Sequence, residues 1–279
     1  MLRKNIFDAV IIGGGCAGTG AALKLRDYSR NVLVIERKRI GGLIYYAHRV
    51  SNMPFFKNET GISVCRRMEC FLIDSGLPVL FAEVYDVKKT LEGLVKLRTS
   101  EGDIITRYAL FATGRMPVKY EKESKRIKYF HDEIKEGETA VIGGGEVAVS
   151  QAISLKQRGL TADIFTRSGL KNVNSALKRE ADMENIKIIH AGESLKFGES
   201  SDKVIVAYRA KDEEIILLYD NLLYSCGREP VMPQTDFNIN DEHISRAGTV
   251  KKEFPSQCDD AFKDGEAEGM KIGLKLRGE

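Results

Sequence analysis

Two short apolar runs, each ending in three successive glycines, set the pattern of the chain. The first, Asp8-Ala9-Val10-Ile11-Ile12, has no polar alternation and reads as a buried strand of a parallel sheet. Gly13-Gly14-Gly15-Cys16-Ala17-Gly18 follows at once, and Ala21 to Leu25 then has the composition of a helix. The second run, Glu138-Thr139-Ala140-Val141-Ile142, leads into Gly143-Gly144-Gly145-Glu146-Val147-Ala148 and a helix through Ala152, Ile153 and Leu155 to Gly159. The repeat lies 143 − 13 = 130 residues downstream of the first. Asn31 to Ile35 and Ala162 to Phe165 predict the second strand of each unit. Order strand, turn, helix, strand makes the chain α/β, with two Rossmann-like three-layer domains.

Two more helices are predicted. Cys65 to Cys70 fits one turn and a half, in which five residues at about 100° each separate the two thiols by roughly 140°. A last helix runs from about Gln257 to Leu276, where Gly265, Gly269 and Gly273 recur every four residues. That smooth stripe suits close packing within the chain or a dimer contact.

Composition narrows the function classes. The chain has 279 residues, 43% of them apolar and 30% charged, which describes a folded globular protein of about two domains. Lys and Arg number 43 against 40 Asp and Glu, and the net charge is only +3. The basic clusters Arg37-Lys38-Arg39 and Lys125 to Lys128 are short or interrupted, so nucleic acid is not expected as a partner. No stretch of eighteen apolar residues occurs, and neither a membrane span nor a signal peptide is expected. The five cysteines are odd in number and have no Cys-x-x-Cys among them. A reducing cytoplasm fits this better than a disulfide scaffold or a zinc site.

The 26 glycines carry the chemistry. Gly13, Gly15 and Gly18 have the spacing of a dinucleotide-binding turn, in which backbone N–H groups at a helix N-terminus receive a pyrophosphate. Glu36 ends the next strand 36 − 15 = 21 residues on, where a carboxylate accepts hydrogen bonds from a ribose. In the second unit Gly143, Gly145 and Ala148 take the three small positions, but Thr166 stands where the acid would be and Arg167 follows. A carboxylate repels a 2′-phosphate and an arginine pairs with it, so the second site suits NADP at least as well as NAD.

Over nearly its full length the chain resembles the two-dinucleotide-binding-domain flavoproteins, and among them the low-molecular-weight thioredoxin reductases. Gly41-Gly42-Leu43-Ile44 with Val50-Ser51-Asn52-Met53-Pro54 is similar to the stretch along the flavin. Segments around Val79 to Val87, Leu94 to Arg98 and Ile104 to Phe111 resemble a small β-meander that returns through Ala112-Thr113-Gly114. Tyr224 to Pro230 is similar to the end of the NAD(P) half. The resemblance implies FAD contacts at Gly13, Gly15, Cys16, Ala17, Gly18, Glu36, Arg37, Gly42, Leu43, Asn52, Ala112, Thr113, Gly114, Gly248, Thr249, Gln257 and Cys258. It implies NAD(P) contacts at Gly143, Gly145, Glu146, Val147 and Arg167. It further implies an NAD(P) domain over 118–232 inserted into an FAD domain made of 1–117 and 233–279, with Pro117, Pro230 and Pro233 at the crossings, and a homodimer.

Two departures shape the expected function. Thioredoxin reductases carry a Cys-x-x-Cys just before the second glycine turn, and Pro117 to Gly137 holds no cysteine. Arg126 to Asp132 is instead similar to the thioredoxin reductase-like ferredoxin–NADP reductases, which implies transfer to an external electron carrier or a small molecule. Where the family has Ala-Gly-Asp, this chain has Ala247-Gly248-Thr249, which removes a charged contact to FAD. No side chain is expected to act as acid or base, no metal is implied, and His48 and His131 are expected to be structural. A degenerate relative that binds nucleotide or a partner without turnover is the alternative reading.

Overall fold

The computed structural model describes residues 6–53, 56, 58–121, 124–200, 202–236, 241–251 and 257–278, so Pro54 lies outside the described residues. In chain order, the first stretch forms β1 (Ile6–Ile12), α1 (Cys16–Leu25), β2 (Val32–Glu36), α2 (Gly61–Ser75), β3 (Val79–Phe81), β4 (Val84–Lys89), β5 (Val95–Thr99), β6 (Gly102–Phe111) and β7 (Arg115–Pro117). The middle stretch forms β8 (Ile127–Lys128), β9 (Glu138–Ile142), α3 (Glu146–Gln157), β10 (Thr161–Thr166), α4 (Ser175–Met183), β11 (Lys187–His190), β12 (Lys196–Ser200), β13 (Lys203–Ala210), β14 (Glu213–Tyr219) and β15 (Asn221–Tyr224). The chain returns through β16 (Arg228–Pro230), β17 (Gln234–Thr235), β18 (Ile244–Arg246) and α5 (Cys258–Arg277). It divides into two compact units, one of residues 1–45, 50–116 and 229–279, the other of residues 46–49 and 117–228.

In the first unit a sheet runs in the order β17-β4-β5-β6-β1-β2-β3, with β18 also paired to β6. β1 is parallel to both β2 and β6, with Ile12 opposite Ile35 on one side and Phe111 on the other. Its residues Ala9 to Ile12 are buried, as a strand covered on both faces requires. One segment departs from the expected meander. Val79 to Val87 splits at Ala82: β3 lies parallel to β2, because it returns from the crossover helix α2, and only β4 joins the antiparallel β4-β5-β6 meander. Val10, Leu33, Val87, Leu97 and Phe111 fill the layer between these parts of the sheet.

α1 and α5 cover the other face, backbone against backbone. A methyl group on Gly265 would lie 2.0 Å from the Ala17 carbonyl oxygen, one on Gly269 2.7 Å from that of Ala21, and one on Gly273 2.4 Å from the Tyr28 ring. The glycine stripe of α5 is therefore a packing seam against α1. α2 opens on Thr60, whose hydroxyl accepts the Ser63 N–H, and places Cys65 inside and Cys70 outside, as the angular separation predicts.

The second unit has a parallel sheet in the order β11-β10-β9-β15-β8. α3 and α4 cover one face, where Val141, Val149, Ala152, Ile153 and Leu155 pack with Ile164. The antiparallel sheet β12-β13-β14 covers the other, where Ile142, Phe165, Val204, Val206 and Tyr219 pack. Helices, parallel sheet and antiparallel sheet make three layers. Within this unit the Tyr46 ring stacks on Phe130 at 3.9 Å between centroids.

Candidate functional site

Each unit ends its first strand in a glycine turn at the start of a helix. In the first turn Gly13 has φ +110°, and its N–H donates to the Ile35 carbonyl at 2.7 Å. A methyl group on Gly18 would meet the Gly13 carbonyl oxygen at 1.8 Å, so the turn closes only with glycine at both positions. Gly15 is different, since a methyl group there meets nothing within 4 Å. Gly15 is also the N-cap of α1 and brings no side chain to the first-turn N–H groups of Cys16, Ala17 and Gly18. The turn is thus closed on the protein side and open on the other.

Glu36 braces it. One carboxylate oxygen accepts the Gly14 N–H at 2.7 Å, and the other accepts the N–H groups of Lys38 at 2.8 Å and Arg39 at 3.2 Å. Arg37 points away to a surface ion pair with Glu83 at 3.3 Å. Gly41 donates to the Gly14 carbonyl at 2.8 Å, which lays Gly42 against Gly15 and begins a 3-10 turn that holds Leu43.

The rest of the expected set gathers around this turn. Ala112 donates to the Ile12 carbonyl, Thr113 donates its hydroxyl to the Val231 carbonyl, and Gly114 faces the Thr249 hydroxyl. Gly248, at φ +71°, sits between Ala17 of α1 and Ala261 of α5. The Asn52 side-chain amide donates to Gln257 at the N-cap of α5, and Cys258 begins that helix. Two supports were not visible in the sequence. Asp264 accepts the Gly248 N–H at 2.7 Å and the Lys251 ammonium at 2.8 Å, and Arg115 donates to the Thr249 carbonyl at 2.8 Å. A carboxylate 16 residues beyond the glycine gives no motif of its own.

The second turn is built alike. Gly143 has φ +149°, and a methyl group there would lie 2.7 Å from the Ser225 carbonyl oxygen. Gly145, the exposed N-cap of α3, again has nothing within 4 Å. Glu146 opens α3 and is held by Asn174, whose side-chain N–H donates to it at 2.7 Å and whose backbone N–H donates at 3.2 Å. Val147 follows, half-buried. Thr166 is buried and donates to the Gly169 carbonyl, whereas Arg167 is exposed, its carbonyl accepting from His190 at 2.6 Å. The guanidinium therefore faces solvent at the end of β10.

His48 and His131 both lie in the second unit. His48 is buried, its Nε2 2.7 Å from Glu180, which Arg49 also contacts. Burial alone would raise the Glu180 carboxyl, but the hydrogen bonds from His48 and Arg49 outweigh it and hold it below its ordinary value. His131 has a buried Nδ1 without a hydrogen-bond partner, and burial lowers its pKa below 6.5. Among the described residues no cluster fit for a metal ion occurs, and no helix is long and apolar enough to cross a membrane.

The chain is 32% identical over 189 residues to the thioredoxin reductase of Peptoclostridium litorale, and 27% identical over 246 residues to the ferredoxin–NADP reductase of Ignicoccus hospitalis. Those matches cover 64% and 80% of this chain and 60% and 77% of the two relatives. The thioredoxin reductases of the Peptoclostridium species are thus matched over roughly half to three-fifths of their length. The structure of Lactococcus lactis thioredoxin reductase in its FR conformation superposes with a TM-score of 0.81 at 22% identity, covering 96% of this chain and 99% of that one. This likeness confirms the two-domain α/β fold. The family model described as pyridine nucleotide-disulphide oxidoreductase matches residues 7–253, and the chain belongs to that family.

Proposed function

We propose that the chain is an FAD-dependent NAD(P)H oxidoreductase that passes electrons to an external acceptor. The observation that carries this is the paired openness of Gly15 and Gly145. In both units the closing glycines are packed against backbone, while the glycine at the helix N-cap borders free space and leaves first-turn N–H groups for an anion. Two such cradles fit two dinucleotides.

FAD belongs to the unit of the first turn, in a domain of 1–117 and 233–279. Gly13, Gly15, Cys16, Ala17 and Gly18 cradle its pyrophosphate, Glu36 stands at its ribose, and Gly42, Leu43, Asn52, Ala112 to Gly114, Gly248, Thr249, Gln257 and Cys258 border the rest. NADP or NAD belongs to a domain of 118–232, on Gly143, Gly145, Glu146 and Val147, with Arg167 toward a 2′-phosphate. When bound, the nicotinamide supplies a hydride and the flavin accepts it and passes electrons on. The chain's own residues hold and orient the two cofactors. None of them needs to move a proton.

The acceptor lies outside the chain, because the five cysteines include no Cys-x-x-Cys. A small electron-carrier protein such as ferredoxin is the favoured acceptor, with a small molecule second. The similarity to a named ferredoxin–NADP reductase over most of that protein supports the carrier. A homodimer in the cytoplasm completes the reading. The test is direct: purified protein is yellow or becomes so with added FAD, and NADPH bleaches the flavin absorbance anaerobically. Colourless protein that takes up no FAD overturns the proposal.

A further inference from the structure

The bridge that carries Arg167 is pinned at both ends, to the second glycine turn and to the helix that follows it. It runs from the end of β10 to the start of α4 as Arg167-Ser168-Gly169-Leu170-Lys171-Asn172-Val173-Asn174, with two cations and no carboxylate. At the near end the Thr166 hydroxyl donates to the Gly169 carbonyl at 3.2 Å, and this pair rests on the turn itself. A methyl group on Gly144 would lie 2.4 Å from that hydroxyl and 2.7 Å from that carbonyl oxygen. His190 holds the Arg167 carbonyl at 2.6 Å. At the far end one Glu146 carboxylate oxygen takes both N–H groups of Asn174, the side-chain one at 2.7 Å and the backbone one at 3.2 Å. Glu146 is the first residue of α3, and Asn174 caps α4 by accepting the Leu177 N–H at 2.9 Å. The clasp thus joins the N-termini of two helices. Between the pins Arg167, Ser168, Lys171 and Asn172 are exposed, and Arg167 makes no ion pair among the described residues.

We propose that Glu146 and Asn174 are positioning residues for nucleotide choice: their clasp fixes the bridge against the second glycine turn, so that Arg167 is held in place for the 2′-phosphate of NADP. This rests on the nucleotide site proposed above. Glu146 serves twice, its first-turn N–H belonging to the phosphate cradle and its carboxylate turned to Asn174.

The physical basis is preorganisation. A bridge tied at one end only gives up conformational freedom when Arg167 meets a phosphate, and that cost weakens binding. It falls on NADP alone, because NAD has no 2′-phosphate and draws nothing from the bridge. Repulsion between the Glu146 carboxylate and a pyrophosphate is common to both nucleotides and cancels in the ratio of their affinities.

The experiment titrates NADP+ and NAD+ into the full chain by calorimetry and takes the ratio of the Kd for NAD+ to that for NADP+. Asn174→Ser keeps an oxygen to cap α4 and loses the amide donor. It is expected to lower the ratio about fivefold and leave the Kd for NAD+ unchanged. Glu146→Ala breaks the same clasp from the α3 side and is expected to lower the ratio alike, so a variant that fails to fold on one side leaves the other to decide. Glu146→Gln keeps an accepting oxygen and is expected to retain the wild-type ratio within about twofold. Because the clasp acts through Arg167, Asn174→Ser is expected to change nothing further in an Arg167→Ala chain. A wild-type ratio in folded Asn174→Ser or Glu146→Ala, or an equal fall with and without Arg167, overturns the clasp. An Arg167→Ala chain that keeps the wild-type ratio overturns the nucleotide site proposed above, and the role of the clasp with it.

Discussion

Glu36 and Gly14 are joined across the first glycine turn by a 2.7 Å hydrogen bond from the glycine N–H to the carboxylate. The acid that the spacing assigns to a ribose also holds the turn in shape. Three backbone N–H groups depend on it, and the side chain is nearly buried at 9% exposure. Glu36→Ala is expected to cost about 3 kcal/mol in FAD-free protein, since buried donors lose a charged acceptor, and Glu36→Gln about 1 kcal/mol. Urea unfolding measures both. A Glu36→Ala chain as stable as the wild type would show that the carboxylate does not brace the turn.

Gly15 and Gly18 separate binding from folding. At Gly18 a methyl group strikes backbone at 1.8 Å, and Gly18→Ala is expected to cost about 3 kcal/mol or more with loss of FAD. At Gly15 the space is open and φ is −76°, an ordinary value. Gly15→Ala is therefore expected to stay within about 1 kcal/mol of wild type while FAD affinity falls about tenfold. Thermal melts and flavin fluorescence read the two effects apart. Unchanged FAD affinity in Gly15→Ala would remove the pyrophosphate from this turn.

Arg167 tests nucleotide choice. Its guanidinium is exposed at the end of β10, and losing a charge-assisted bond to a 2′-phosphate weakens binding by about tenfold to a hundredfold. Arg167→Ala is expected to raise the Kd for NADPH by that factor and leave NADH unchanged. Equal effects on both nucleotides would place Arg167 elsewhere than at the phosphate.

His131 predicts a pH dependence. Burial lowers its pKa below 6.5, so the unfolded chain binds the proton more readily than the folded one. The stability of the neutral ring is complete above 6.5 and is lost as pH falls through the lower folded value. Melting temperature is expected to drop on going from about pH 7.5 to about pH 5.5, and to drop less in His131→Phe, which keeps a ring and removes the titration. Parallel curves for the two proteins would contradict this.

The parts of this molecule legible in its sequence are those that need one residue type at one spacing. Gly13, Gly18 and Gly143 are tied to backbone approach or positive φ, and the apolar runs before them to burial on both faces. What escaped depends on partners far along the chain. Ala17 and Gly265 are 265 − 17 = 248 residues apart and meet only because α1 and α5 pack together. Asn174 on Glu146 and Asp264 on Gly248 are polar pairings set by loop paths, which periodicity does not encode. The glycine stripe of α5 was visible, but its partner was not. β3 was misjudged because alternation alone does not tell a crossover strand from a hairpin strand.

The seam between α1 and α5 also orders the birth of the protein. The first strand, turn and helix are made early, yet the surface that covers them belongs to Cys258–Arg277, so they leave the ribosome unsheltered. Residues 117–228 hold nearly all of the second unit in one continuous stretch and can close while synthesis continues. The first-made unit is thus the last to finish, and a chain ending before residue 258 would hold every strand of the second unit while its first glycine turn still lacked the cover of α5.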